Sequence, residues 1–141
     1  MSIGQMNWKL IFALSLFGLA MGTATVYVVP SNIEPFYWLG IFIICAVIIA
    51  RVAPGRYFLH GLMVSIVNSL WITASHVLMY DAYIANHQKE FDMMTSMKIS
   101  LSPKVMMLLT GPVVGVVSGI VLGLFSLVAA KLLNRPSTAV S

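Results

Sequence analysis

The chain has 141 residues, 60% of them hydrophobic and only 9% charged, with a mean hydropathy of +0.95. Soluble domains carry about 25% charged residues, so this composition excludes a water-soluble globular domain and leaves lipid as the main solvent. The net charge of +4 does not point to nucleic acid, because the basic residues are scattered at segment ends and form no single face.

Four uncharged stretches stand out in chain order: Leu10–Val29, Pro35–Ala50, Tyr57–Tyr80 and Val105–Ala130. A crossing of a ~30 Å hydrocarbon core takes roughly 20 residues. The expected spans are about residues 8–29, 36–53, 57–80 and 103–133, with an extracytoplasmic loop at 81–102. The fold class predicted is an all-α integral membrane protein, a four-transmembrane-helix bundle running up-down-up-down with N and C termini cytoplasmic, as one membrane domain over residues 1–141.

The first stretch carries Lys9 and small residues near Ala20 and Ala24, as a signal peptide does, yet a retained spanning helix is expected. Its pairs Gly18/Gly22 and Ala20/Ala24 are small-residue packing signals. Proline punctuation follows at Pro30-Ser31-Asn32 and again at Ala53-Pro54-Gly55, and turns this short force neighbouring helices antiparallel.

The second stretch is the shortest, with 16 uncharged residues. It spans if Arg51 snorkels to the interface, and Tyr37 and Trp38 sit where an aromatic belt belongs. A re-entrant or interfacial segment is the alternative. The single cysteine, Cys45, lies within it. One cysteine rules out an internal disulfide and paired-thiol chemistry, and a buried structural thiol is expected.

The third stretch holds most of the polarity. Gly61, Ser65, Ser69 and Thr73 recur at spacing four, a small-residue row with hydroxyls that winds toward His76. A separate face carries His60, Asn68, Trp71 and Ser75, within about 80° of arc. Asn68 sits near mid-bilayer, where an unpaired amide is costly, so it should face another helix or a wet cavity. His60 and His76 are about 24 Å apart along the helix and cannot share one metal.

The connection that follows is longer, and Tyr83–Met97 is expected to form a short interfacial helix. Six of the ten methionines lie between Met79 and Met107. Thioether sulfur favours Cu(I), and Met93, Met94 and Met97 with His87 are the candidate copper ligands. A zinc set from His76, Asp81, His87, Glu90 and Asp92 has suitable side chains but no zinc-like spacing.

The fourth stretch begins well at Ser102-Pro103, a capping hydroxyl followed by a proline at the first helical position. Pro112 should kink it, or the helix starts later at Thr110-Gly111-Pro112. Gly111, Gly115, Gly119 and Gly123 form a row at spacing four along one face, where another helix backbone can approach closely. The neighbour could be the first helix, the third helix or another copy of the chain. A row this long could serve two contacts, so a homo-oligomer is expected.

With four crossings, Lys9, Arg51, Arg56, Lys131 and Arg135 share one side without any acid. The other side holds Lys89, Lys98 and Lys104 with all four acids. The positive-inside rule then favours cytoplasmic termini in a bacterial inner (plasma) membrane. No catalytic motif, phosphate loop or dinucleotide fingerprint is present, and no acid lies deep in a span.

The expected function is therefore a non-enzymatic scaffold or accessory subunit that self-associates through its glycine-rich helix, with the bilayer and other membrane subunits as partners and no required cofactor. One alternative is a small channel or carrier with a polar path along the third helix. The other is extracytoplasmic soft-metal (copper) binding.

Overall fold

The computed structural model describes residues 6–28, 32–96 and 101–133, apart from the side chains of Glu90 and Met94. These residues form helices α1 (Trp8–Tyr27), α2 (Glu34–Val52), α3 (Tyr57–Leu78), α4 (Tyr80–Asn86), α5 (Gln88–Ser96) and α6 (Pro103–Leu132), and no strand is found among them. Four of the helices, α1, α2, α3 and α6, are long and apolar enough to cross a membrane. Their outer faces expose large apolar side chains such as Phe12, Leu16, Ile43, Val113, Val117 and Leu124. Water would disfavour such a surface, and lipid accepts it.

Local chemistry sets the helix ends. The Asn7 side chain caps α1 by accepting from Leu10 N–H at 3.2 Å. The Ser102 hydroxyl caps α6 by accepting from Val105 N–H at 3.4 Å, with Pro103 in the first turn. α6 starts there and continues through Pro112, so the later start at Thr110 is not adopted. The turn between α2 and α3 uses positive φ at Gly55 (148°), where glycine is favoured, and at Arg56 (48°). The expected single interfacial helix over Tyr83–Met97 is instead two helices, broken at His87, whose φ/ψ of −134°/52° leaves the helical region. The break coincides with an anchor: His87 Nε2 meets the Thr25 carbonyl of α1.

α3 is the central helix, packed closely on both α6 and α1. Toward α6, a methyl group placed on Gly61 would lie 2.8 Å from Cα and N of Gly123. The same row continues with Gly119 against Leu62, Gly115 against Ser69 and Gly111 against Thr73. Residue numbers rise on one helix as they fall on the other, so α3 and α6 run antiparallel. Toward α1, Gly18 lies against Asn68 and Gly22 against Ser75 and Ile72. Here both numbers rise together.

α2 joins the others mainly through its second half. Cys45, Ala46, Ile49, Ala50 and Ala53 pack with Ile11, Leu14, Tyr57, Val64, Leu122 and Ala130 in one apolar cluster. None of residues 34–44 is buried, and Phe36 (73% exposed) faces outward. Alanines let α2 approach at one end, while the larger side chains of its first half leave a gap.

Gly61 and Gly40 provide a matched test. Around Gly61 the nearest atoms are backbone, whereas nothing lies within 4 Å of a methyl group at Gly40. Gly61→Ala should cost about 1–3 kcal/mol by overpacking. Gly40→Ala should be neutral or slightly stabilising, because alanine is the better helix former. Unfolding midpoints in mixed micelles measure both. Equal midpoints for the two variants would rule out the close α3–α6 contact.

Candidate functional site

The gap left by α2 is a cavity of about 450 Å³ between α2, α3 and α6. Ser65, Asn68 and Ser69 of α3 supply one wall, and Val114, Ser118, Val121 and Phe125 of α6 another. Trp38, Leu39 and Phe42 of α2 complete it. The aromatics are mutually braced: Trp38 and Phe42 lie 6.0 Å apart at 69°, and Phe42 and Phe125 lie 6.3 Å apart at 88°. These are edge-to-face arrangements. Glu34, the first residue of α2, is the only charged lining residue, and its Oε1 accepts from Trp38 Nε1 at 3.2 Å.

Asn68 is 2% exposed. Its Oδ1 accepts from Gly18 N–H of α1 at 3.0 Å. A backbone N–H can only donate, so this bond fixes which end of the amide is oxygen. The remaining Nδ2 is buried without a partner, and so is the hydroxyl of Ser65, itself 2% exposed. The two residues are three apart on α3, hence on one helix face.

The other residues of the polar face are engaged elsewhere. His60 Nε2 accepts from Asn7 N–H at 3.0 Å, so the ring's proton sits on Nδ1, 2.9 Å from the Arg56 carbonyl. Trp71 Nε1 donates to Ser15 Oγ at 3.1 Å, and Ser15 donates onward to the Phe12 carbonyl at 2.7 Å. Ser75 Oγ donates to the Trp71 carbonyl at 2.9 Å. None of these three lines the cavity. Of the expected path His60, Asn68, Trp71 and Ser75, Asn68 alone is a lining residue there, and Ser65 and Ser69 join it from the small-residue row.

A second cavity of about 490 Å³ shares Ser69, Ile72 and Val114 with the first, and is also lined by His76, Tyr83, Met93 and Met107. Beside it three rings stack: His76 on Tyr83 with centroids 4.2 Å apart, and Tyr83 on His87 at 4.3 Å. Both histidines reach Thr25, His76 Nε2 at its hydroxyl (2.8 Å) and His87 Nε2 at its carbonyl. Sequence reasoning missed Thr25 and Tyr83, whose roles appear only once α4 folds back over the end of α1.

Of the candidate copper ligands, Met93 lines the second cavity and His87 is turned to Thr25. Met97 and the side chain of Met94 lie outside the described residues. Among the described residues, no three His, Cys, Asp or Glu side chains converge as a metal set. Cys45 is a free, buried cysteine. Comparisons with known protein families, curated proteins and solved structures gave no match.

The stack predicts a local effect. His87→Ala should release α4 and α5 from α1 and speed amide exchange over residues 80–96 several-fold, the equivalent of about 1 kcal/mol for a lost hydrogen bond. Exchange in the middle of α3 and α6 should stay unchanged. Hydrogen–deuterium exchange by mass spectrometry reads both regions at once, and uniform protection in the variant would discount the anchor.

Proposed function

We propose that the chain is a non-enzymatic membrane protein that holds a small ligand in the cavity between α2, α3 and α6, as a carrier or as the binding subunit of a larger assembly. The observation that carries this reading is a pair of unpartnered buried groups, Asn68 Nδ2 and Ser65 Oγ, in two residues that line a cavity of about 450 Å³. Leaving a buried donor unmade costs about 1–3 kcal/mol, and a bound ligand would offset that cost. Ligand sites are typically clefts of about 300–1,000 Å³, mostly apolar with a few placed polar groups, and this cavity fits that description.

The proposed setting is a bacterial inner membrane, crossed four times, up-down-up-down, with both termini cytoplasmic. The lopsided distribution of Lys and Arg between the two ends supports that orientation. It would put Glu34 and the start of the cavity toward the extracytoplasmic side and the α2 alanine cluster toward the cytoplasm. Self-association through the glycine row has less support, because Gly111, Gly115, Gly119 and Gly123 already face α3 within one chain. A second copy would have to use another face.

A filling mutation tests the cavity. Ser118→Trp places a large ring into the space while its Cα stays on the lipid-supported helix α6. Wild-type protein and variant are extracted into nanodiscs, checked for equal thermal stability, and analysed by mass spectrometry for small molecules that travel with them. The wild type should retain a compound that the variant loses. Equal retention in both, including none in either, would sink the reading.

A further inference from the structure

Resting on the cavity reading above, we infer that the ligand is a neutral, planar carbonyl compound of the quinone class. Its carbonyl oxygen accepts hydrogen bonds from Asn68 Nδ2 and Ser65 Oγ, which are themselves fully buried behind the cavity wall and reach the oxygen by small side-chain rotations.

The polarity of the site follows from its existing bonds. Gly18 N–H occupies Oδ1 of Asn68, so the amide offers only its NH₂ end, a pure donor. Ser65 is unlike its neighbours. The hydroxyls of Ser69, Ser75, Ser118 and Ser126 each donate to a carbonyl three or four residues earlier on their own helix. This is the usual resort of serine in an apolar helix. The Ser65 hydroxyl is buried without such a bond. Two donors on one helix face therefore lack an acceptor, and an sp² carbonyl oxygen has two lone pairs to meet them.

Charge narrows the class. The cavity contains no cation that would balance a carboxylate or phosphate, and its one charged lining residue is the acid Glu34. An anionic head group would be desolvated without a partner. Depth narrows it further. Asn68 lies eleven residues into α3, roughly 16 Å along the helix, near the middle of a ~30 Å hydrocarbon layer. A strongly hydrated head group would not travel there, whereas a neutral carbonyl compound already dissolves at that depth. Shape supplies the last constraint. Trp38, Phe42 and Phe125 present braced aromatic faces and edges to the cavity, and flat rings pack well on such surfaces.

The test is equilibrium binding to full-length protein in nanodiscs, with binding to empty discs subtracted. The probes are tritiated 2,3-dimethyl-1,4-naphthoquinone, which has no free ring position for thiol addition, 2,3-dimethylnaphthalene, the same shape without oxygens, and methyl decanoate, an aliphatic carbonyl. The quinone should bind at least about tenfold more tightly than either control, a preference of the size that one or two hydrogen bonds confer. Ser65→Ala loses no intramolecular bond, so it should stay folded and weaken quinone binding several-fold while leaving the arene unchanged. Asn68→Leu should weaken quinone binding about tenfold or more, and Ser118→Trp should abolish binding of every probe.

Equal affinity for quinone and arene, or a Ser65→Ala variant that preserves the quinone preference, would overturn the assignment. If Ser118→Trp still blocked both probes in that case, the cavity would survive as a binding site. Methyl decanoate binding as tightly as the quinone would keep the donor pair and overturn the planar class. Failure of all three probes would overturn the quinone class, and the retention experiment with Ser118→Trp would decide the cavity separately.

Discussion

The close approach of two backbones, α3 and α6, is the constraint on which the remaining structure depends. Gly61 and Gly123 face each other with no room for a methyl group between them. In lipid, apolar side chains gain little by leaving one apolar medium for another, so helices are held by dense van der Waals contact. Removing side chains from both surfaces brings the helix axes together and lets the flanking Phe58, Leu62 and Ser69 fill the grooves beside the glycines. α1 packs on a neighbouring face of α3. It takes that face with Gly18 and Gly22 as its own points of contact.

The two sides of α3 divide the labour. Polar groups that turn to α1 are nearly all satisfied: His60 with Asn7, Trp71 with Ser15, and His76 with Thr25. They tie α1 in place along its length. α2 is held by apolar residues from Cys45 to Ala53. That asymmetry leaves a space beside Asn68 and Ser65, where a fourth evenly packed helix would have closed it.

The four long helices were legible from uncharged runs between charges and prolines, because crossing lipid demands length and apolarity and little else. The glycine row was legible too, since spacing four places residues on one helix face whatever the surroundings. Which neighbour met that row was not, because a bare surface accepts any backbone. Asn68 was legible as a group in need of a partner, and the structure supplies one for its oxygen only. The cavity itself was hidden, because it depends on how α2 leans, and nothing in Trp38, Phe42 or Phe125 taken singly distinguishes a cavity wall from a lipid-facing ring. The break at His87 was hidden for a similar reason, since its cause is a carbonyl sixty-two residues earlier, that of Thr25.

The helices differ in length, and that difference has a mechanical consequence. α6 has 30 residues and α2 has 19, roughly 45 Å against 28 Å at 1.5 Å per residue. A bilayer of ordinary thickness is about matched by the shorter helix, while the longer one exceeds it and is accommodated by tilting or protruding. The pair cannot both match the same slab of hydrocarbon. A membrane of altered thickness would therefore bear unequally on the two helices that enclose the cavity.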